Sequence, residues 1–362
     1  MTPRKMRCLV VDDSVLYRKV VRDVLAAAPD VEVVGVATDG QQALEKIDTL
    51  QPDVVTLDLE MPKLDGIGVL RELKKRGTEI AAIMVSAFTD RGAQTTTEAL
   101  NLGAFDFILK PTTKSLDESI SQLRRDLLPK LKAASLRTST RHAARPARPS
   151  RPTPRPATPR PSLRLPAVRP DIVAIGVSTG GPQALTKLLP KLPATFPAPI
   201  VIVQHMPPKF TKSLADDLDR RCSLRVVEAT QGQPIRAGEV VIAPGDKQMR
   251  VAKQGTCAVI QLTDDPPERN CRPAVDFLFR SVATHYGRKA LGVVLTGMGD
   301  DGTAGANQMK TAGATILAQD EATCVVYGMP KGIVDAGLAD AILPLNRVHE
   351  HLIAAAAGRV LA

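Results

Sequence analysis

Twice along this chain, short uninterrupted apolar runs alternate with segments of helical periodicity. In the first series the runs are RCLVVDD, VEVVGVA, DVVTLDLE, AAIMVSA and DFILKP. Between them Leu16, Val20, Val21, Val24 and Leu25, then Ala43, Leu44, Ile47 and Leu50, recur at helical spacing. Strands that are apolar on every residue are buried on both faces. Alternating with amphipathic helices, they predict a parallel sheet covered on both sides. Ser115 with Glu118 predicts a capping box at the start of the last helix of this series. The second series contains DIVAIGVS, PIVIVQH and LGVVLTG, each running into a turn with Gly or Pro, and a helix marked by Val275, Leu278, Phe279 and Val282. GEVVIAPG and MRVAKQGTCAVIQLTD read as a hairpin excursion, with Gln254-Gly255 at its turn. The fold class is α/β, with two doubly wound parallel-sheet domains.

What separates the two series can join neither. From Leu127 to Pro170 there is no acid, while Lys130, Lys132 and nine arginines are interleaved with prolines. Such a segment lacks amide donors and buries too little apolar surface to offset its ordering entropy. It reads as an extended spacer of polyproline II character, with an arm for an acidic partner as the alternative. The 362 residues are therefore assigned as a domain over 1–126, a flexible Arg/Pro-rich linker over 127–170 and a second domain over 171–362.

That assignment also locates the charge. The net charge is +10 and the linker alone carries eleven positive groups, so the rest of the chain is close to neutral. Aromatics are 3%, too few for a base-stacking nucleic-acid binder, and no helix-turn-helix pattern appears in the second half. No nucleic-acid partner is expected. Five cysteines form no CxxC pair, which suits a reducing compartment. The N-terminus MTPRKMRCLVVDDS meets acid before an apolar signal core can form, and no stretch approaches the ~20 apolar residues of a membrane helix. A soluble cytoplasmic protein without direct membrane insertion is expected.

In doubly wound sheets, ligands sit beyond the carboxyl ends of the strands. In the first half those ends carry Asp12, Asp13, Asp58, Ser86 and Lys110. Converging carboxylates raise one another's pKa unless a cation joins them, and a hard divalent ion such as Mg²⁺ suits a site of few carboxylates plus water. With the ion present, Asp58 could accept a phosphoryl group whose oxygens Ser86 and Lys110 would hold. This order of residues resembles the response-regulator receiver domain over residues 1 to about 125. The resemblance implies a flavodoxin-like fold with Asp58 in LDLEMP as the phosphoacceptor, Asp12 and Asp13 on the metal and a backbone carbonyl from Glu60. It also puts Phe107 at the family's aromatic switch.

In the second half, IGVSTGGP satisfies G-x-S-x-G at Gly176, Ser178 and Gly180. Such a turn either presents a nucleophilic serine or cradles a phosphate on the amides of the following helix. Two other strand ends favour the nucleophile. IVIVQHMPP puts His205 at the end of one buried run, and VVLTGMGDDG puts Asp300 and Asp301 in a Gly-rich turn after another. A hydrolase needs a histidine to take the serine proton and a carboxylate to orient the ring. His142, His285, His349 and His351 fall in the linker or on helices, where surface roles are expected.

The order Ser, His, Asp differs from that of α/β-hydrolases. GVSTGGP, QHMP, LTGMGDDG and the later VYGMP are similar to the chemotaxis response-regulator protein-glutamate methylesterase/protein-glutamine glutaminase family, from about Asp171 to the C-terminus. That resemblance implies a Rossmann-like catalytic domain, with Ser178 as nucleophile, His205 as base and Asp301 as third member. Thr179 and Met298 would line the site, Met298 through an oxyanion-hole amide. The choice of Asp301 over Asp300 comes from the resemblance alone. Also implied are γ-glutamyl methyl esters and glutamines of methyl-accepting chemoreceptors as substrates, and a sensor histidine kinase as phosphodonor. Mg²⁺ would serve only the receiver, with no cofactor for the hydrolase. The alternatives are a receiver-regulated hydrolase of another ester and a DNA-binding regulator.

Overall fold

In a computed structural model, residues 4–111, 115–143, 168–255 and 257–359 are described. The chain divides into two units, Met1–Pro152 and Thr153–Ala362. The first contains β1 (Met6–Val11), α1 (Val15–Ala26), β2 (Val31–Ala37), α2 (Gly40–Leu50), β3 (Val54–Asp58), α3 (Gly66–Lys75), β4 (Ala81–Ser86), α4 (Asp90–Leu102), β5 (Asp106–Leu109) and α5 (Leu116–Ala143). Its sheet is parallel in the order β2-β1-β3-β4-β5, the flavodoxin-like arrangement. Every residue of β3 is buried, as its unbroken apolar run predicts. Ser14, Asp39, Asp65 and Thr89 cap α1 to α4 through their side chains, and the Ser115 hydroxyl accepts from the Glu118 amide ahead of α5.

Helix α5 departs from the sequence assignment, since it continues through residues 127–143, which were assigned to the linker. Leu123, Leu127 and Leu131 recur every four residues and are fully buried, as is Ala134, so packing carries the helix onward. Pro129 sits inside it despite removing the amide that would bond the Arg125 carbonyl, a defect of about 3 kcal/mol that the buried leucines offset. Residues 144–167 of the assigned linker lie outside the described residues.

The second unit contains β6 (Ile172–Val177), α6 (Gly181–Leu188), β7 (Ile200–Gln204), α7 (Phe210–Asp219), β8 (Arg225–Glu228), β9 (Glu239–Ile242), β10 (Gln248–Gln254) and β11 (Cys257–Thr263). There follow α8 (Val275–Tyr286), β12 (Ala290–Val294), α9 (Thr303–Thr311), β13 (Thr315–Gln319), α10 (Met329–Asp335), β14 (Ala341–Leu343) and α11 (Leu345–Ala356). The main sheet runs β14-β13-β12-β6-β7-β9-β8 with every pairing parallel. The hairpin is β10 and β11 alone, and Met249, Val251 and Ile260 pack it against Val275, Leu278 and Phe279 of α8. GEVVIAPG, assigned to the hairpin from sequence, supplies β9 of the main sheet instead. All of β9 is buried, which is the mark of a strand covered on both faces. His351 also departs from its expected surface role: it is 1% exposed on α11, with Nδ1 3.0 Å from the Arg347 carbonyl.

Strands are added in opposite directions on the two sides of the β12/β6 boundary, the kind of switch point where doubly wound sheets bind ligands. Among the described residues, no helix is long and apolar enough to cross a membrane.

Candidate active site

Three strands adjacent in the sheet, β12, β6 and β7, end in the three sequences singled out for catalysis. Val177 is in register with Gln204, and the His205 amide donates to the Val177 carbonyl at 3.1 Å. Ser178 and His205 therefore leave neighbouring strands one residue after the last pair. The Ser178 amide donates to the Thr296 carbonyl at 3.0 Å, which fixes the serine against the loop after β12. Gly180 adopts φ +79°, and the Gly181 amide bonds back to the Ser178 carbonyl at 2.7 Å. This tight left-handed turn leads straight into α6. A Cβ on Gly297 would lie 2.3 Å from Met329 Sδ and 2.9 Å from Ser178 Cβ, so only glycine fits beside the serine.

Two neighbouring acids take different paths. Asp301 is 3% exposed, and its Oδ2 lies 2.8 Å from His205 Nε2. The same carboxylate accepts the Val275 amide at 2.7 Å and the Asp276 amide at 2.9 Å, which caps the N-terminus of α8. Asp300 is exposed and pairs with Arg269, whose Nε also donates to buried Asp276 at 3.1 Å. Burial alone would push Asp301 up, but His205 and the two amides outweigh it and hold the carboxyl below its usual range. Burial opposes a charge on His205. The hydrogen bonds to Asp301 and Cys271 prevail, and its pKa is raised to about 9.

Because ionised Asp301 only accepts, Nε2 of a neutral His205 carries the proton and Nδ1 offers a lone pair. That nitrogen lies 3.6 Å from Cys271 Sγ, while the Ser178 hydroxyl makes no hydrogen bond with the imidazole. Cys271 is brought there by a tight turn. Arg269 (φ 48°) and Asn270 (φ 61°) are left-handed, and Glu268 and Cys271 exchange backbone hydrogen bonds of 3.0 and 2.7 Å. Thr179 is buried, and Met298 is half-buried with an amide that bonds to no described residue.

Sequence reasoning passed over several residues that hold this site together. Thr296 Oγ1 donates to the Thr179 carbonyl at 3.0 Å and accepts the Val325 and Val326 amides at 3.1 and 3.0 Å. It joins three loops through one hydroxyl. Gln204 Nε2 donates to the Ser178 carbonyl at 3.0 Å. Arg269, Cys271 and Asp276 lie in RNCRPAVD, where a charged turn immediately before a helix was the available signal.

In the first unit, Lys110 Nζ lies 2.7 Å from Asp58 Oδ2 and 3.1 Å from Asp12 Oδ2. Ligand oxygens of Asp12, Asp13 and Asp58 lie within 4.8 Å of one another, and Lys110 is the cation that Asp12 and Asp58 share. Three converging carboxylates in an all-oxygen donor set, with a single lysine between two of them, fit a hard divalent cation. Burial and then Asp12 raise the Asp58 pKa to about 6 against the pull of Lys110. Asp13, Asp58, Glu60 and Lys110 line a common cavity of about 260 Å³. Ser86 is not turned to Asp58: its hydroxyl accepts from Thr96 Oγ1 at 2.9 Å and faces the Gly92 carbonyl at 3.3 Å. Phe107 is buried beneath Lys130, whose Nζ is 5.7 Å from the ring centroid.

The same division appears in comparisons with known proteins. Residues 8–121 match the response regulator receiver domain model and residues 173–352 the CheB methylesterase model. A protein-glutamate methylesterase/protein-glutamine glutaminase of Desulfotalea psychrophila is 45% identical over 97% of this chain and 98% of its own length. The chain belongs to the CheB methylesterase family. Its namesake from Thermotoga maritima is 44% identical over 98% of this chain and 99% of that protein. The crystal structure of the Thermotoga maritima CheB methylesterase catalytic domain matches with TM-score 0.50 and 48% identity, over 51% of this chain and 98% of that one.

Proposed function

We propose that this CheB-family chain is a phosphorylation-regulated serine hydrolase that demethylates γ-glutamyl methyl esters and deamidates glutamines on chemoreceptors. The observation that carries this reading is the buried 2.8 Å contact of His205 with Asp301, one strand away from Ser178. Ser178 attacks the ester carbonyl and His205 Nδ1 takes the hydroxyl proton. Asp301, held by two amides, stabilises the imidazolium that results. The Met298 amide serves the developing oxyanion, and Thr179 completes the wall of the site. Protonated His205 then donates to the departing methoxide, and water activated by the same ring hydrolyses the acyl-serine to glutamate. With an amide substrate His205 protonates the departing nitrogen, so ammonia replaces methanol.

In the receiver, Asp58 is the phosphoacceptor, and Asp12, Asp13 and the Glu60 carbonyl would join it in holding Mg²⁺. The ion would neutralise charge on the phosphoryl group. Lys110, whose Nζ is 2.7 Å from Asp58 Oδ2, would take one phosphoryl oxygen, and the Ser86 hydroxyl would turn from Gly92 to reach another. Phe107 follows that movement and passes the phosphorylation state on. A sensor histidine kinase supplies the phosphoryl group, and hydrolysis takes place in the cytoplasm.

The test is methanol release from methylated receptor, with and without a small phosphodonor. Ser178→Ala should lower the rate by several orders of magnitude. Undiminished release from that variant refutes the serine mechanism.

A further inference from the structure

Cys271 has no part in the hydrolysis just described, yet its sulfur faces the one ring nitrogen of His205 that is free of Asp301. The Sγ to Nδ1 distance is 3.6 Å. Zinc binds thiolate at about 2.3 Å and imidazole at about 2.0–2.1 Å, so two such ligands on a tetrahedral ion lie roughly 3.5–3.6 Å apart. The pair is thus already spaced as one edge of a zinc tetrahedron. Cys271, His205 and Asp301 also form one of two clusters of potential metal ligands among the described residues.

The surroundings fit as well. A zinc-bound histidine usually donates its other N–H to a carboxylate, which fixes the tautomer and raises the basicity of the ligating nitrogen. Asp301 occupies that place at 2.8 Å from Nε2. A thiolate and the nearby carboxylate together balance the two charges of the ion. Arg269, two residues from Cys271, directs its own charge to Asp276 and Asp300. The other ligand cluster, Asp12, Asp13 and Asp58, offers oxygen only and suits Mg²⁺ rather than a thiophilic ion.

We infer that Cys271 Sγ and His205 Nδ1 form a binding site for Zn²⁺, with water completing the coordination, and that zinc bound there inhibits the hydrolase. Binding releases the thiol proton to solvent and occupies the lone pair that would accept the proton of Ser178. Metal binding stands on the Cys271–His205 geometry, and inhibition rests in addition on the proposed role of His205.

Cobalt(II) replaces zinc as a spectroscopic probe in the full-length chain, with excess Mg²⁺ occupying the oxygen cluster. A thiolate-to-cobalt charge-transfer band should form, disappear on adding Zn²⁺, persist in Cys222→Ser and be lost in Cys271→Ser. In methanol release, Zn²⁺ should inhibit and a chelator should restore the rate. Relative to each protein's own zinc-free rate, Cys271→Ser should need about tenfold or more zinc for the same inhibition. A missing band, or a band that survives Cys271→Ser, overturns the site. A Cys271-dependent band with zinc-insensitive hydrolysis overturns the inhibition. If the protein releases no methanol even without zinc, the assigned activity fails, while the band still decides the metal site.

Discussion

Asp301 accepts from His205 at 2.8 Å while also taking the two amides that open α8. One carboxylate therefore orients the imidazole and terminates a helix. The carboxylate cannot swing away from the imidazole without uncapping α8, so the group that selects the ring's tautomer is held in place by the packing of the domain.

The two adjacent acids should separate on substitution. Asp301→Asn removes the charge facing the imidazolium and should lower kcat/KM for methanol release by about 10³–10⁴-fold. Asp300→Asn only loosens an exposed pair with Arg269 and should change the rate by less than about threefold. Equal losses would contradict the distinct placement of the two side chains.

The raised pKa of His205 predicts the pH profile. A general base works deprotonated, so kcat/KM should climb as pH rises through about 9. The sign for stability is opposite. The folded pKa exceeds the ordinary histidine value of 6.5, so the His205–Asp301 contribution is fully present below 6.5 and is lost as pH rises through about 9. Thermal melts across that range, with His205→Gln as reference, measure it.

Asp58 gives a prediction of the other kind. Its pKa is raised to about 6, so the folded receiver holds this proton more tightly than the unfolded chain. The ionised group then costs stability at neutral pH, and the cost fades as pH falls through 6. Asp58→Asn should stabilise the receiver by about 1–2 kcal/mol in denaturant titrations at neutral pH while abolishing the response to a phosphodonor. A destabilised variant would show that the Lys110 pairing outweighs burial.

Thr296 is the strongest prediction among residues that touch no substrate. Thr296→Val keeps the shape but leaves the Val325 and Val326 amides and the Thr179 carbonyl without their partner. It should cost about 1–3 kcal/mol and lower kcat more than it raises KM. Thr296→Ser, which keeps the hydroxyl, should restore most of both.

The readable parts of this molecule were those whose signal is local. Unbroken apolar runs marked β1, β3, β6, β7 and β12, and the ends of the first four marked Asp12, Asp58, Ser178 and His205, while the Gly-rich turn after β12 marked Asp300 and Asp301 as a pair and only the family resemblance chose Asp301. What escaped depends on contacts distant in sequence. Cys271 meets a histidine 66 residues earlier, and Thr296 reaches a carbonyl 117 residues away. Neither side chain has a periodicity that would announce it. β9 was misplaced because a short apolar run next to a hairpin has the same composition as a hairpin strand, and only burial on both faces tells them apart. The end of α5 was hidden by Pro129 and the loss of acids, although Leu127 and Leu131 continued the helical spacing.

β12 lies directly beside β6 in the sheet but more than a hundred residues after it in the chain. During synthesis Ser178 and His205 leave the ribosome well before the strand that carries their carboxylate. A nascent or prematurely terminated polypeptide thus has a serine and a histidine but no oriented imidazole. On the proposed mechanism the catalytic set is completed only once residue 301 has been translated and β12 has inserted beside β6.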